Sequence, residues 1–116
     1  MPSDFSISEL PDLGSVCVRK VTGRLEADTA QELRKHCADL RETGHNYLAL
    51  DLSEIQFIAS SGVGSLLALT EEFSRVGGGC YMTSLSAATT SVIRLLNLER
   101  FLAIYPTAEE AAAIFR

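Results

Sequence analysis

The stretch that most constrains the fold runs from Tyr47 to Leu69 and reads YLALDLSEIQFIASSGVGSLLAL. Residues 47–52 are apolar apart from Asp51, which predicts a strand covered on both faces. Residues 53–61 carry the side chains of a turn. From Val63 the apolar side chains recur every three or four residues, which predicts a largely buried helix. We therefore expect the chain to be built around a central strand, turn and helix.

The first turn of this helix holds Ser60, Ser61, Gly62 and Gly64. Unpaired backbone N–H groups and the positive end of the helix dipole favour a hydroxyl, a phosphate or a close partner backbone here. A serine at this position also has a simpler explanation as a helix N-cap, worth about 1 kcal/mol. The glycines either let a partner approach or let the helix pack against the sheet. Both pairs of explanations stay open.

Length and charge set the outer limits of what the chain can be. Its 116 residues suffice for one domain with a single core. A formal net charge of −5 argues against binding to nucleic acid or an acidic membrane, because both need clustered Lys and Arg. No segment approaches the ~18 consecutive apolar residues of a membrane span, and the N-terminus lacks a signal-peptide pattern. We expect a cytoplasmic protein with no membrane insertion.

Three cysteines and two histidines are the candidate redox groups and metal ligands. Cys17, Cys37 and Cys80 are odd in number and have no CxxC spacing, so we expect reduced thiols in the core. His36 and His45 have no second ligand at a usable spacing. No metal, cofactor or catalytic residue is therefore predicted.

Periodicity and capping signals divide the rest of the chain. Asp28 with Gln31, and Thr107 with Glu110, are predicted capping pairs at two helix starts. The order of elements predicts an α/β fold with a mixed, mostly parallel sheet of about five strands and about four helices, as one domain over residues 1–116. The other predicted strands are 5–10, 15–21, 80–85 and 102–105. The other predicted helices are 28–43, 86–97 and 108–115. In the second of these helices the inward residues are Ala88, Val92, Leu95 and Leu96, and in the third the apolar residues are Ala111, Ile114 and Phe115.

The central stretch resembles the STAS domains, and among them the small bacterial anti-sigma factor antagonists. That family carries an acidic-Leu-Ser segment, a short apolar stretch, and then Asp-Ser-Ser-Gly, a small residue and Gly. Residues 51–53 read DLS, Phe57 and Ile58 are the apolar pair, and residues 59–64 read ASSGVG. Ala59 stands where the family has Asp. A Gly-x-Leu-Asp segment of the family is matched by residues 23–26, GRLE.

The resemblance implies a non-enzymatic regulator of transcription that binds an anti-sigma factor serine kinase. The first serine of the family motif is phosphorylated by that kinase, so Ser60 inherits the role, and phosphate would switch binding off. A PP2C-type phosphatase would reset the protein. The residues that inherit partner binding are Glu26, Ala59, Ser60, Ser61, Gly62, Val63 and Gly64.

Two other functions stay open. One is a constitutive, unphosphorylated STAS scaffold in a stress-signalling assembly or a lipid transporter, which the Ala59 departure favours. The other is a small phosphate- or nucleotide-binding enzyme. The enzyme is disfavoured because the loop lacks the Lys of a P-loop and the chain has neither a positioned base nor a Gly-x-Ser-x-Gly elbow.

Further polar side chains have two explanations each. The hydroxyl-rich run within residues 84–91 either borders Ser60 at the carboxyl end of the sheet or serves only as turn and cap residues. Arg24 and Arg94 either contact an anionic Ser60 or are ordinary surface charges.

Overall fold

The sheet places its five strands side by side in the order in which they occur in the chain. The structure is a computed structural model that describes residues 5–114. Within that range the strands are β1 Ser6–Leu13, β2 Val16–Leu25, β3 Tyr47–Ile58, β4 Gly79–Thr83 and β5 Ala103–Tyr105. The helices are α1 Ala27–Glu42, α2 Ser60–Arg75, α3 Ala87–Leu95 and α4 Ala108–Ala113, with a 3-10 turn at Glu99–Phe101.

Strand directions confirm the predicted mixed, mostly parallel α/β sheet. β1 and β2 form an antiparallel hairpin, whereas β2, β3, β4 and β5 are parallel to one another. Parallel neighbours need crossover connections, and helices supply them here. α2 ends at Arg75, and Gly77, two residues further on, adopts a φ of 78° that favours glycine.

The two faces of the sheet carry separate hydrophobic clusters. α1, α2 and α3 cover one face, where Leu33, Phe73 and Ile93 belong to the larger cluster. α4 lies on the other face, where Ala112 packs with Val16, Val18 and Ala49 of β2 and β3. β3 is therefore covered on both sides, as its apolar run predicts.

β3 is longer than the sequence indicates. We predicted a turn over residues 53–61, but the strand continues to Ile58 and pairs with β2 as far as Leu25. Two register shifts interrupt this part of the pairing, so the buried residues Ile55 and Ile58 are three apart instead of two. The period of two that identifies a strand in a sequence is therefore absent.

α3 turns a different face to the core from the one predicted. Leu95 is 80% exposed and Leu96 is also exposed, so the inward orientation that we predicted for them is wrong. Thr89 and Ile93, four residues apart, form the buried face instead. Leu95 is the last residue of α3 and Leu96 is its C-cap, so both lie at the end of this nine-residue helix.

The predicted cap of α4 and the predicted free thiols in the core are confirmed. The Thr107 hydroxyl accepts a hydrogen bond from the Glu110 N–H at 3.1 Å at the start of α4. The three cysteines are buried and free. The predicted apolar position Phe115 lies outside the described residues, and Ile114 is exposed. None of the helices within residues 5–114 has the length and apolar character needed to cross a membrane.

Candidate functional site

The site is built on the connection between β3 and α2, which is one residue long. β3 ends at Ile58 and α2 begins at Ser60, so Ala59 alone joins them. The Ala59 N–H donates to the Leu25 carbonyl at 3.0 Å, and the Ala59 carbonyl accepts from the Val63 N–H at 3.0 Å. Both backbone groups of Ala59 are satisfied, and the connection is tied to the end of β2.

Ala59 is also the N-cap residue of α2. The explanation of Ser60 as the N-cap is wrong, because Ser60 is the first residue inside the helix and α2 starts three residues before the predicted Val63. Alanine is a poor N-cap because its methyl group accepts no hydrogen bond. The Asp that the family pattern has at this position would be one of the best.

Ser60 and Ser61 present their side chains to solvent at the start of α2. Neither hydroxyl forms a hydrogen bond to any residue in the range 5–114. Ser65, one turn further on, is different, since it is buried and its Oγ donates to the Gly62 carbonyl at 2.7 Å. The first two serines are therefore available to a partner or a modifying enzyme, and Ser65 is not.

Gly62 and Gly64 have different roles in the structure. A Cβ on Gly62 would lie 2.5 Å from the Leu25 carbonyl oxygen and 2.9 Å from Ile58 Cγ1, so only glycine fits between α2 and the end of β2. A Cβ on Gly64 would meet nothing within 4 Å. Packing therefore explains Gly62, whereas the exposed Gly64 leaves room for a partner.

Val63 lies beneath the exposed residues of the motif. It is 3% exposed and belongs to the larger hydrophobic cluster. Together with the buried Gly62 it supports the first turn of α2 from inside. The predicted partner-binding residues that reach the surface are therefore Glu26, Ala59, Ser60, Ser61 and Gly64.

Glu26 joins the end of β2 to the start of α1, where it is the N-cap residue. Its N–H donates to the Thr29 hydroxyl at 2.9 Å, so the cap involves Thr29 and not the predicted pair of Asp28 and Gln31. Its half-exposed carboxylate accepts from Arg24 Nε at 3.0 Å. The turn from β2 to α1 therefore fixes the position of Glu26 and leaves its carboxylate partly exposed.

Arg24 and Phe57 are two neighbours that were not among the predicted site residues. The Arg24 guanidinium carbon lies 4.2 Å from the centroid of the Phe57 ring, which is 39% exposed. The two residues are paired across β2 and β3. Sequence reasoning identified each separately but could not bring them together, because the register shifts hide which residue of β3 faces Arg24.

Comparison with known proteins decides the family. A family model described as the STAS domain matches residues 8–111. The chain belongs to the STAS domain family. This STAS domain superposes on a crystal structure described as an anti-sigma factor antagonist of Thermotoga maritima with a TM-score of 0.81 and 25% identity, covering 95% of this chain and 92% of that chain.

Two further relatives carry the same description. The STAS domain superposes on the crystal structure of an anti-sigma factor antagonist of Mycobacterium paratuberculosis with a TM-score of 0.78 and 28% identity, over 94% of this chain and 93% of that chain. A Thermotoga neapolitana protein, described as a homologue of the anti-sigma factor antagonist TM1081, is 32% identical over 68 residues. That match spans 59% of this chain and 60% of the relative's length.

The remaining polar candidates of the STAS domain have local roles. The Ser86 Oγ accepts from the Thr89 N–H at 3.2 Å and caps α3. The Ser84 N–H donates to the Pro106 carbonyl at 3.2 Å. These residues of the hydroxyl-rich run therefore serve in a turn and a helix cap. In the described part of the chain, no three His, Cys, Asp or Glu side chains are grouped to hold a metal ion.

Proposed function

We propose that this STAS domain is an anti-sigma factor antagonist that acts by reversible binding and catalyses no reaction. The family match and the descriptions of its relatives support the general role. Its partner is an anti-sigma factor with serine kinase activity. It binds through a surface that we call the Ser60 surface, which consists of Glu26, Ala59, Ser60, Ser61 and Gly64.

The observation that carries this proposal is the state of the Ser60 hydroxyl. It is exposed at the first residue of α2 and has no hydrogen-bond partner among residues 5–114. A capping serine would use its oxygen within the chain, so phosphorylation would cost a structural contact. Ser60 has no such contact to lose, and modification therefore affects binding more than folding.

Phosphorylation supplies the switch. The kinase transfers the γ-phosphoryl group of ATP to Ser60 Oγ, ADP leaves, and the hydroxyl proton passes to a base on the kinase. The product carries about −1.5 to −2 additional charge, which is solvated on the free protein but loses its water in a tight interface. Changing the bound fraction from 99% to 1% needs about 5.5 kcal/mol of differential affinity. A buried phosphate without a partner can supply much of that.

The rest of the cycle lies in other chains. A PP2C-type phosphatase hydrolyses the phosphoserine and restores binding, and no cofactor is needed on the STAS domain itself. We place this cycle in the cytoplasm of a bacterium, where the released sigma factor would act on transcription.

Phosphopeptide mapping tests the proposal. The tagged full chain is isolated from its own cells under several growth conditions, beside Ser60→Ala and Ser61→Ala variants. Ser61 is the matched control because it is also exposed and its hydroxyl also has no hydrogen bond to residues 5–114. We expect a phosphate that depends on growth conditions, disappears in Ser60→Ala and persists in Ser61→Ala, and stronger capture of a kinase by Ser60→Ala.

A second candidate, the constitutive STAS scaffold, is favoured by Ala59. Without the family's Asp, the Ser60 surface lacks a carboxylate that a kinase could recognise. The same experiment separates the two functions. Ser60 unmodified under every condition, together with capture of a partner that is not a kinase, would overturn the switch and establish the scaffold.

A further inference from the structure

Arg24 is held in a defined position beside the Ser60 surface. Its Nε donates to Glu26 Oε2 at 3.0 Å, and its guanidinium lies over the Phe57 ring at 4.2 Å. These contacts use one nitrogen and one face of the group. The two terminal nitrogens form no hydrogen bond or ion pair with any residue that the structure describes. They are free to bind an anion.

The pairing of β2 and β3 brings Arg24 towards Ser60. Arg24 pairs with Phe57, Leu25 pairs with Ile58, and the Leu25 carbonyl accepts from the Ala59 N–H. The end of β2 thus runs beside the chain up to the residue before Ser60. Paired strands lie about 4.8 Å apart and rise about 3.3 Å per residue. Ser60 lies three residues beyond Phe57, about 10 Å along the chain, and this is the gap that an extended arginine and a phosphoserine would bridge together.

The local charges favour this contact. Ala59 brings no carboxylate to the site, whereas the Asp of the family pattern would repel a phosphate on Ser60 and compete for Arg24. Glu26 is the one acidic side chain that contacts Arg24 within residues 5–114. A phosphate carries more charge than a carboxylate and accepts two parallel N–H bonds from arginine. It therefore competes well with Glu26.

We propose that Arg24 binds the phosphate of phosphorylated Ser60 through its terminal nitrogens, and that this binding draws the guanidinium and its Nε away from Glu26 on the Ser60 surface. The inference rests on the proposed phosphorylation of Ser60 and adds a residue to that switch. In the phosphorylated protein one basic group and one carboxylate are rearranged together, so the surface offered to a partner changes at Glu26 as well as at Ser60.

Titration of the phosphoserine tests the contact directly. Phosphoserine is placed at residue 60 of the full chain during translation, and its second pKa, ordinarily about 6, is measured by ³¹P NMR. A nearby guanidinium favours the dianion and lowers this pKa. We expect the pKa in Arg24→Gln to be at least about 0.5 pH unit higher than in the wild-type chain. Ala59→Asp should raise it too.

Arg94→Gln is the matched control, because Arg94 is an exposed arginine of α3 with no ion pair in the described chain. It should titrate like the wild-type chain. Equal pKa values in the wild-type chain and Arg24→Gln, or a rise confined to Arg94→Gln, would overturn the assignment. A measurement without any substitution adds a second criterion, since the Arg24 Nε–H resonance should shift when Ser60 carries phosphate. An unchanged resonance would also overturn it.

The test is independent of any kinase, because the phosphoserine is introduced by translation. Absence of phosphate from Ser60 in cells would overturn the proposed function and leave the Arg24 contact standing. Superimposable titration curves would overturn the Arg24 contact and leave the proposed function standing.

Discussion

Ala59 is the residue at which this chain departs from the family pattern, and its place in the structure gives the departure a physical meaning. It is the N-cap of α2, its methyl group caps nothing, and its backbone is fully bonded. The family's Asp would combine two functions there, helix capping and a negative charge beside the serine. Replacing it with Ala removes both while leaving the backbone in place.

We expect Ala59→Asp to raise the free energy of unfolding by about 1 kcal/mol, since it supplies the missing N-cap. Urea denaturation followed by circular dichroism measures the change. Ala59→Asn separates capping from charge, because it is a comparable cap without a carboxylate. No gain in either variant would show that α2 does not need a side-chain cap.

The two glycines of the motif provide a second test. Gly62→Ala should destabilise the fold by about 1–3 kcal/mol, because the added methyl group meets the Leu25 carbonyl and overpacks the site. Gly64→Ala should stabilise it by up to about 1 kcal/mol, because it improves helix propensity in open space. Urea unfolding of the pair measures both. Equal destabilisation would contradict the packing described for Gly64.

The contact between β2 and α1 contains a charged group that is nearly buried. Arg19 is 8% exposed, its Nη1 donates to the Val18 carbonyl at 3.0 Å, and its Nε donates to His36 Nε2 at 3.2 Å. His36 can accept this bond only when it is neutral. Burial and the Arg19 charge lower the pKa of His36 from its ordinary 6.5, and Asp39 and Glu9 oppose this without reversing it.

This contact predicts a loss of stability in mild acid. Because the folded pKa of His36 lies below the unfolded value of 6.5, the unfolded chain binds more protons as the pH falls through that region. The free energy of unfolding should therefore decrease below about pH 6.5. In His36→Gln, which keeps an acceptor but cannot titrate, this decrease should be smaller. His45→Gln, at the other, exposed histidine, is the control, and identical pH profiles for wild type and His36→Gln would contradict the mechanism.

The larger hydrophobic cluster joins elements that are far apart in the chain, and the cysteines show this. Cys17 of β2, Cys37 of α1 and Cys80 of β4 all belong to it. Burial raises the pKa of each thiol, that of Cys37 to about 12. Thiolate, the reactive form, is therefore scarce at neutral pH while the protein is folded.

Thiol labelling should report on the intact fold. We expect Ellman's reagent to modify none of the three cysteines quickly in the native protein and all three in urea, because access and ionisation both require unfolding. The rate of labelling at pH 8 measures this. Rapid native modification that is lost in Cys17→Ala, the thiol with the polar neighbours Arg19 and Asp12, would place that side chain nearer the surface than the structure does.

Sequence patterns were sufficient for the order of elements, the mixed sheet and the central motif, because each depends on local periodicity or on a short run of residues. They failed where distant segments decide the outcome. The extension of β3 depends on bulged pairing with β2, and the different roles of Gly62 and Gly64 depend on the Leu25 carbonyl. The contact between Arg24 and Phe57 depends on the same pairing. No window of the sequence contains both partners.

The single residue between β3 and α2 leaves the backbone of Ser60 little conformational freedom. Its backbone is anchored on one side by the central strand and on the other by a helix whose start is packed against Leu25. Within residues 5–114, no flexible loop adjoins Ser60 that could carry a phosphate away from the surface or change conformation to accommodate it. The modified and unmodified proteins should therefore have the same backbone conformation and the same hydrodynamic radius. A partner would distinguish them only through direct contact with the modified surface.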